Sequence, residues 1–431
     1  MLMFNISSIH RIVDYFCHSK QMVEIIGKYN KATILVSSLD SLEPLCKEQI
    51  QRLLDQKFSE KSNIVIMPDT HAGSGCVIGF TQNIIDKVVP NLVGVDIGCG
   101  MEVIKISKAI GDQVFTQEGL AKLDAIIREH IPMGREHRTT QHSFTSNVHI
   151  QDIIAPIKVD EALLSLGSLG GGNHFIEVDK DSLGDYYIVI HSGSRHLGIE
   201  VCKHYQQQAV KYHANSISQR KELIDRLKAE GRAKDIQTEL KKLPVQAPIP
   251  NDLAYLENED MEHYLHDMKL AQEYAVWNRK AMMNEIITSM NLESGIIDNF
   301  CSIHNYIDTE KLILRKGAIS LQKDEIAIIP INMAYGSLIV RGKGNEKYNC
   351  SGPHGAGRLM SRTQAKAQLK MNDFRDSMKD VFTTSVSDAT IDESPMAYKP
   401  PEEILNNIKD LCDVVEIIKP IYNIKAEDDV N

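Results

Sequence analysis

Apolar positions along the chain change period several times. Over residues 22–110, and again after Leu312, short apolar runs stop at glycine-rich turns. Asn63-Ile-Val-Ile-Met67 reads as a buried strand leading into the loop 68–75, and Tyr187–Ile190 as a strand that delivers His191 at its end. Leu92–Val95 and Glu102–Ile106 read as strands on either side of the turn at Gly98–Gly100. Between 112 and 132 the period is helical, with Leu120, Leu123, Ile126 and Ile127 on one face, and it stops before Pro132. Residues 197–243 are crowded with charge and carry only a sparse apolar stripe (Leu223, Ile224, Leu227, Ile236, Leu240, Leu243), which predicts long solvated helices forming a projecting hairpin. A second helical stretch spans 261–292. His204, His213 and His266 lie in these charged helices with no glycine beside them and read as surface residues. Strands return at Ile326–Ile329 and Gly336–Arg341, and Ile404–Lys419 closes as a helix or a helix plus strand. The mixture predicts an α+β fold: one catalytic domain over 22–431 with a helical insertion at about 197–292, preceded by an extension over 1–21. Met22 opens a cleaner segment than Met1 does.

Composition narrows the class. At 431 residues, 42% hydrophobic and 25% charged, the chain can bury a large core. No apolar run reaches the roughly 18 residues a membrane-spanning helix needs, and residues 1–21 lack the basic and apolar regions of a signal peptide. Eight scattered cysteines without a CxxC pair favour a reducing cytoplasm and mostly buried, inert thiols. The net charge of −10 confines any nucleic-acid site to a local basic patch.

Candidate chemistry concentrates at turns. Asp96-Ile-Gly-Cys99 brings a carboxylate and a thiol to one glycine turn, though a lone cysteine there is more often a packing residue. Its company changes the weighing: His174 follows three glycines and Asn173, His191 ends an apolar run, His304 precedes Asn305, and His354 precedes Gly355-Ala356-Gly357-Arg358. Sulfur, imidazole and carboxylate together suit zinc, manganese, iron or cobalt, and a thiolate can bridge two ions. Gly193-Ser-Arg195 and Gly355–Arg358 join free backbone N–H groups to a guanidinium, a phosphate cradle without a Walker A pattern. Arg358–Arg362 is expected to start a helix aimed at whatever His354 holds. The metal ligands taken alone suit a dinuclear phosphodiesterase or cyclic phosphatase.

Asp96-Ile-Gly-Cys-Gly-Met, Gly-Gly-Asn-His-Phe-Ile-Glu177, His191-Ser-Gly-Ser-Arg195, Arg315-Lys-Gly-Ala318 and His354-Gly-Ala-Gly-Arg-Leu-Met-Ser-Arg362 resemble, in order and spacing, the motifs of the RtcB RNA ligase family over about residues 22–426. The resemblance implies a GTP-dependent enzyme that joins RNA 3′-phosphate or 2′,3′-cyclic phosphate ends to 5′-hydroxyl ends, in RNA repair or tRNA splicing, through a histidine–GMP adduct. It implies His354 as nucleophile, and Asp96, Cys99, His174, His191 and His304 as ligands of two Mn²⁺ ions bridged by Cys99. Asn173 and Gly355–Arg358 would meet the GTP phosphates, and Phe175 and Tyr398 would flank guanine. Glu177, Ser337 and Lys425 would bond the guanine edge, and Arg195 would face a substrate phosphate. An archease-like activator is a candidate partner. The chain departs from the family pattern at Pro330–Gly336, at His196 (often Gly) and after Lys425 (often Gly at the C-terminus), which points to a divergent bacterial branch.

Overall fold

The computed structural model describes residues 23–240 and 249–426. The expected extension at 1–21 lies outside them. Two large sheets organise an α+β architecture. One runs in the order β1 (Val23–Ile26), β2 (Lys31–Ile34), β3 (Ile64–His71), β4 (Ile78–Asn83), β12 (Ile313–Lys316), β11 (Asn305–Asp308). The other runs β10 (Ile296–Ile303), β6 (Gly100–Ile106), β8 (Tyr186–Ser192), β7 (Phe175–Lys180), β17 (Cys412–Lys425), β15 (Gly336–Gly342), β14 (Ile326–Asn332). Two short pairs complete it: β5 (Lys87–Val88) with β9 (Leu256–Glu257), and β13 (Ala318–Ser320) with β16 (Ser351–Pro353).

The seven-stranded sheet is antiparallel throughout. Its interior strand β8 is buried at every position, because helices and neighbouring strands cover both faces. The helix Asn258–Met290 packs on β6 and β8 and buries residues around most of its circumference, including Tyr264, Ala271, Ala275, Asn278, Arg279 and Met282. Only a narrow row is left exposed, including Glu262, His266, Lys269, Lys280, Asn284 and Thr288, so the buried face is far wider than the apolar stripe of an ordinary surface helix.

Three local expectations are corrected. Leu92–Val95 is not a strand. A 3₁₀ turn at Pro90–Leu92 leads into the bend, so Asp96 and Cys99 precede β6 rather than end a strand. The helix expected from Arg358 starts at Arg362, capped by Ser361 and Gln364 in a reciprocal box. The helix Arg195–Ala229 is not solvated throughout. Leu197, Val201, Tyr205 and Ala209, spaced four apart, form one buried row against the helix Asn258–Met290, while His196, Lys203, Gln207 and Lys211 are exposed. His213 continues that row and is therefore buried, its Nε2 3.0 Å from the Tyr255 carbonyl, while His266 is exposed and His204 half-buried. Among the described residues no helix is long and apolar enough to cross a membrane.

Candidate active site

Sheet register assembles the site. Strands β10, β6, β8 and β7 lie side by side, with Ile303 paired to Gly100, Gly100 to Ser192, Met101 to His191, and His191 to Phe175. His304 after β10, Cys99 before β6, His191 within β8 and His174 before β7 therefore meet at one end of the sheet. The N–H of His304 donates to the Cys99 carbonyl (2.9 Å), and that of Gly98 to Asn305 (2.7 Å), which ties the Asp96–Cys99 turn to the β10–β11 corner. Gly98 has φ +71°, and a Cβ there would lie 2.7 Å from the Cα of Gln272, so the turn can press against the long helix only with glycine.

Two ligand groups result, Asp96–Cys99–His174 and Cys99–His191–His304, and they share the thiol. The fit to a cation follows from hydrogen bonding. His174 places Nδ1 2.8 Å from the Leu169 carbonyl, and His191 places Nδ1 3.2 Å from that of Asn173. Those nitrogens must carry the protons, so both rings turn an Nε2 lone pair inward. There the lone pairs meet other acceptors. His174 Nε2 is 3.0 Å from Asp96 Oδ2 and 3.4 Å from Cys99 Sγ, and His191 Nε2 is 3.3 Å from both Sγ and His304 Nε2. One thiol proton cannot satisfy them all, whereas two cations sharing the sulfur would. Burial pushes the Cys99 thiol well above its ordinary pKa and holds His191 and His304 well below theirs, so the imidazoles are neutral and the thiol proton must leave when a metal enters.

His354 follows β16, whose partner β13 is anchored by the Ala318 N–H to the His304 carbonyl (3.1 Å). The His354 and His304 ring centroids are 4.7 Å apart. His354 Nδ1 lies 2.7 Å from Asp69 Oδ2. A cavity of about 820 Å³ opens beside it, a size suited to a nucleotide. His354–Arg358, Asn173, Phe175, Glu177, His191, Tyr398 and Lys425 all line it. Lys425 pairs with Phe175 in register and holds its Nζ 5.3 Å from that ring centroid, and the Arg358 guanidinium lies 5.3 Å from that of Tyr398. Ser337 is not brought to this lining. It is fully buried next to Gly336, with no partner for its hydroxyl.

Arg195 stands apart from the nucleotide-sized cavity. It donates to Ser168 Oγ (3.0 Å) and the Gly134 carbonyl (2.7 Å) and lines a second cavity, of about 550 Å³, with Asp96, His174, Arg135, His137 and His196. A Cβ at Gly170 (φ +88°) would fall 1.8 Å from the Arg195 guanidinium, so the first of the three glycines before Asn173 leaves room for that side chain. The ligand cluster is thus reached from two cavities, through His191 in one and through Asp96 and His174 in the other.

Sequence reasoning missed several residues. Asp69 and His71 follow the apolar run Ile64–Met67 much as His191 follows Ile188–Ile190, and that signal could have found them. Glu393 carries no pattern of its own. Arg279 is fully buried behind the turn, donating to the carbonyls of Gly98 (2.8 Å) and Ser192 (2.9 Å); only the fold reveals it.

A shared thiol between two ligand groups, with a carboxylate-held histidine at a nucleotide-sized cavity, defines a site suited to two-metal phosphoryl transfer. Comparison with known proteins gives the lineage. Residues 49–426 match the family model described as tRNA-splicing ligase RtcB, and the chain belongs to the RtcB family. It is 30% identical to the RNA-splicing ligase RtcB of Escherichia coli (strain K12), over 84% of this chain and 90% of that protein. It is 25% identical to the RNA-splicing ligase RtcB2 of Escherichia coli (strain ATCC 25922), over 93% and 98%. It is also 25% identical to the tRNA-splicing ligase RtcB of Methanococcus maripaludis, over 83% and 84%.

Proposed function

We propose that this chain is an RNA ligase that joins a 3′-phosphate or 2′,3′-cyclic phosphate end to a 5′-hydroxyl end, using GTP and two divalent ions such as Mn²⁺, in RNA repair or tRNA splicing. The observation that carries the reading is His354, placed between the metal-ligand cluster and the large cavity with Nδ1 held by Asp69. With its Nδ1 proton committed, Nε2 has a free lone pair and attacks the α-phosphorus of GTP. An N–P bond forms, and pyrophosphate leaves. Water first opens a 2′,3′-cyclic end to the 3′-phosphate; an oxygen of that 3′-phosphate then takes GMP as the N–P bond breaks, and the 5′-hydroxyl oxygen, losing its proton, attacks the RNA phosphorus and displaces GMP to form the phosphodiester. Asp96, Cys99 and His174 would hold one ion and Cys99, His191 and His304 the other; bound there, the ions would neutralise charge developing on the transferring phosphate.

Phe175 and Tyr398 offer ring faces to a base, Glu177 an acceptor and Lys425 a donor to its edge, and Asn173 and Gly355–Arg358 partners to the phosphates. Arg195, in the second cavity, is suited to an RNA phosphate rather than to the nucleotide. A purely hydrolytic dinuclear enzyme would use the metal cluster alone and leave the His354–Asp69 pair and the aromatic walls without a task. The reaction belongs in a reducing cytoplasm, in keeping with seven free cysteines among the described residues, and an archease-like activator remains a partner to be sought. The test is incubation with Mn²⁺ and α-labelled GTP, followed by a denaturing gel and a joining assay on RNA with 3′-phosphate and 5′-hydroxyl ends. Label on the wild type and none on His354→Ala is the expected result; an unlabelled wild type overturns the reading.

A further inference from the structure

One carboxylate organises the base end of the large cavity. Glu393 lines it, is only 3% exposed, and gathers four side chains. Its Oε2 accepts from the Tyr398 hydroxyl (2.7 Å) and the Lys425 ammonium (2.9 Å). Its Oε1 accepts from Arg358 (3.2 Å) and lies 2.8 Å from the Arg362 guanidinium, which Asp392 also holds at 2.6 Å. We infer that Glu393 is the positioning residue that sets base preference in the nucleotide site, an inference that rests on the GTP reading above. Lysine and arginine side chains are flexible, and three cations drawn to one place repel each other unless an anion lies between them. Glu393 supplies that anion and fixes the Lys425 ammonium over Phe175, in a cavity that Glu177, two residues further along β7, also lines.

The resulting edge is a donor next to an acceptor. A guanine edge offers an acceptor oxygen at position 6 next to donor N–H groups, and so complements it. Adenine offers an amino donor at position 6, which meets the ammonium head-on. A lysine free to swing would relieve that clash, whereas one locked by Glu393 cannot. Discrimination therefore depends on the lock as well as on the contact.

The test measures labelling of the full chain by α-labelled GTP and ATP, with Mn²⁺ content and melting temperature determined on the same samples. For E393Q we expect the KM for GTP to rise and the GTP-over-ATP preference to fall, each about tenfold or more, with kcat at saturating GTP within about threefold and metal content unchanged. The double variant E393Q/K425M should be no worse than K425M alone within about twofold, because both act through one interaction. An unchanged preference, a fall in kcat at constant KM, or losses that multiply in the double variant would overturn the inference. Should E393Q not fold, Y398F keeps the ring and removes one bond to Oε2; it should relax the preference about threefold, and an unchanged preference again refutes the role. A wild type that takes no label from GTP refutes the underlying nucleotide reading. A labelled wild type matched by E393Q in preference refutes only the role of Glu393.

Discussion

Asp69 Oδ2 lies 2.7 Å from His354 Nδ1 and also accepts the backbone N–H groups of His354 (3.0 Å) and Gly355 (3.2 Å). One oxygen thus sets the ring's tautomer, its orientation and the backbone that carries it. Alanine at this position removes that acceptor and leaves the imidazole free to take either tautomer. Asp69→Ala should lower histidine guanylylation by about 10²- to 10⁴-fold while two metals still bind. Labelling rate and metal content measured on the same sample check this, and unchanged labelling would show that Asp69 serves only to hold the loop.

Cys99 belongs to both ligand groups, whereas Asp96 and His174 belong to one and His191 and His304 to the other. Metal content should follow that asymmetry. His304→Gln and Asp96→Asn should each lose about one ion per chain, and Cys99→Ala should weaken both sites and abolish guanylylation. Stripping the wild type with a chelator should lower its melting temperature and restore proton affinity to the thiol. Elemental analysis of the three variants decides the matter. Loss of a single ion in Cys99→Ala would refute the bridge.

Much of this site was legible before the fold because its candidate ligands sit at strand ends or in glycine-rich turns, where a polar side chain stands out. His191 and His304 stood out at strand ends, His174 and the Asp96–Cys99 pair beside glycines. What the sequence could not carry is what depends on three dimensions. Asp69 touches His354 across 285 positions of chain. Lys425 and Phe175 meet only through the β17–β7 register. His213 was misread because its charged neighbours hide a buried row at four-residue spacing, and Leu92–Val95 because an apolar tetrapeptide is equally at home in a tight turn packed against a helix. Ser337 shows the converse: a motif position can be matched while its side chain stays outside the cavity lining.

His71 offers a test of the electrostatics. Burial is the main cause, with His354 adding to it, that lowers its pKa from the ordinary 6.5 to about 4, although the Asp69 carbonyl 3.0 Å from Nδ1 acts the other way. The folded chain therefore keeps this imidazole neutral at a pH where the unfolded chain binds a proton. Stability is unaffected by His71 above about pH 6.5, falls as pH drops from there toward 4, and levels off below. His71→Gln stays neutral in both states, so the stability of wild type relative to this variant should fall by about 3 kcal/mol across that window. Denaturant titrations of the metal-free proteins at several pH values measure it. Taking the difference cancels the other buried histidines, and a constant difference would show that His71 protonates freely in the fold.

Gly193 shows how tightly backbone and ligands are fitted. A Cβ built there would fall 1.9 Å from Asp96 Oδ1 and 2.6 Å from its Cγ, well inside contact distance. The Asp96 carboxylate must then rotate away from His174, to which it is held at 3.0 Å. The backbone of Gly193 can barely yield, because its carbonyl accepts from buried Asn278 (3.1 Å) on the long helix. Gly193→Ala should therefore damage one ligand group and spare the other. Metal content should fall by about one ion, guanylylation by roughly 10²-fold or more, and stability by only about 1–2 kcal/mol, since an exchangeable carboxylate moves and the core does not. Two ions retained with normal labelling would mean that Asp96 is not held where the Asp96–Cys99–His174 group requires it.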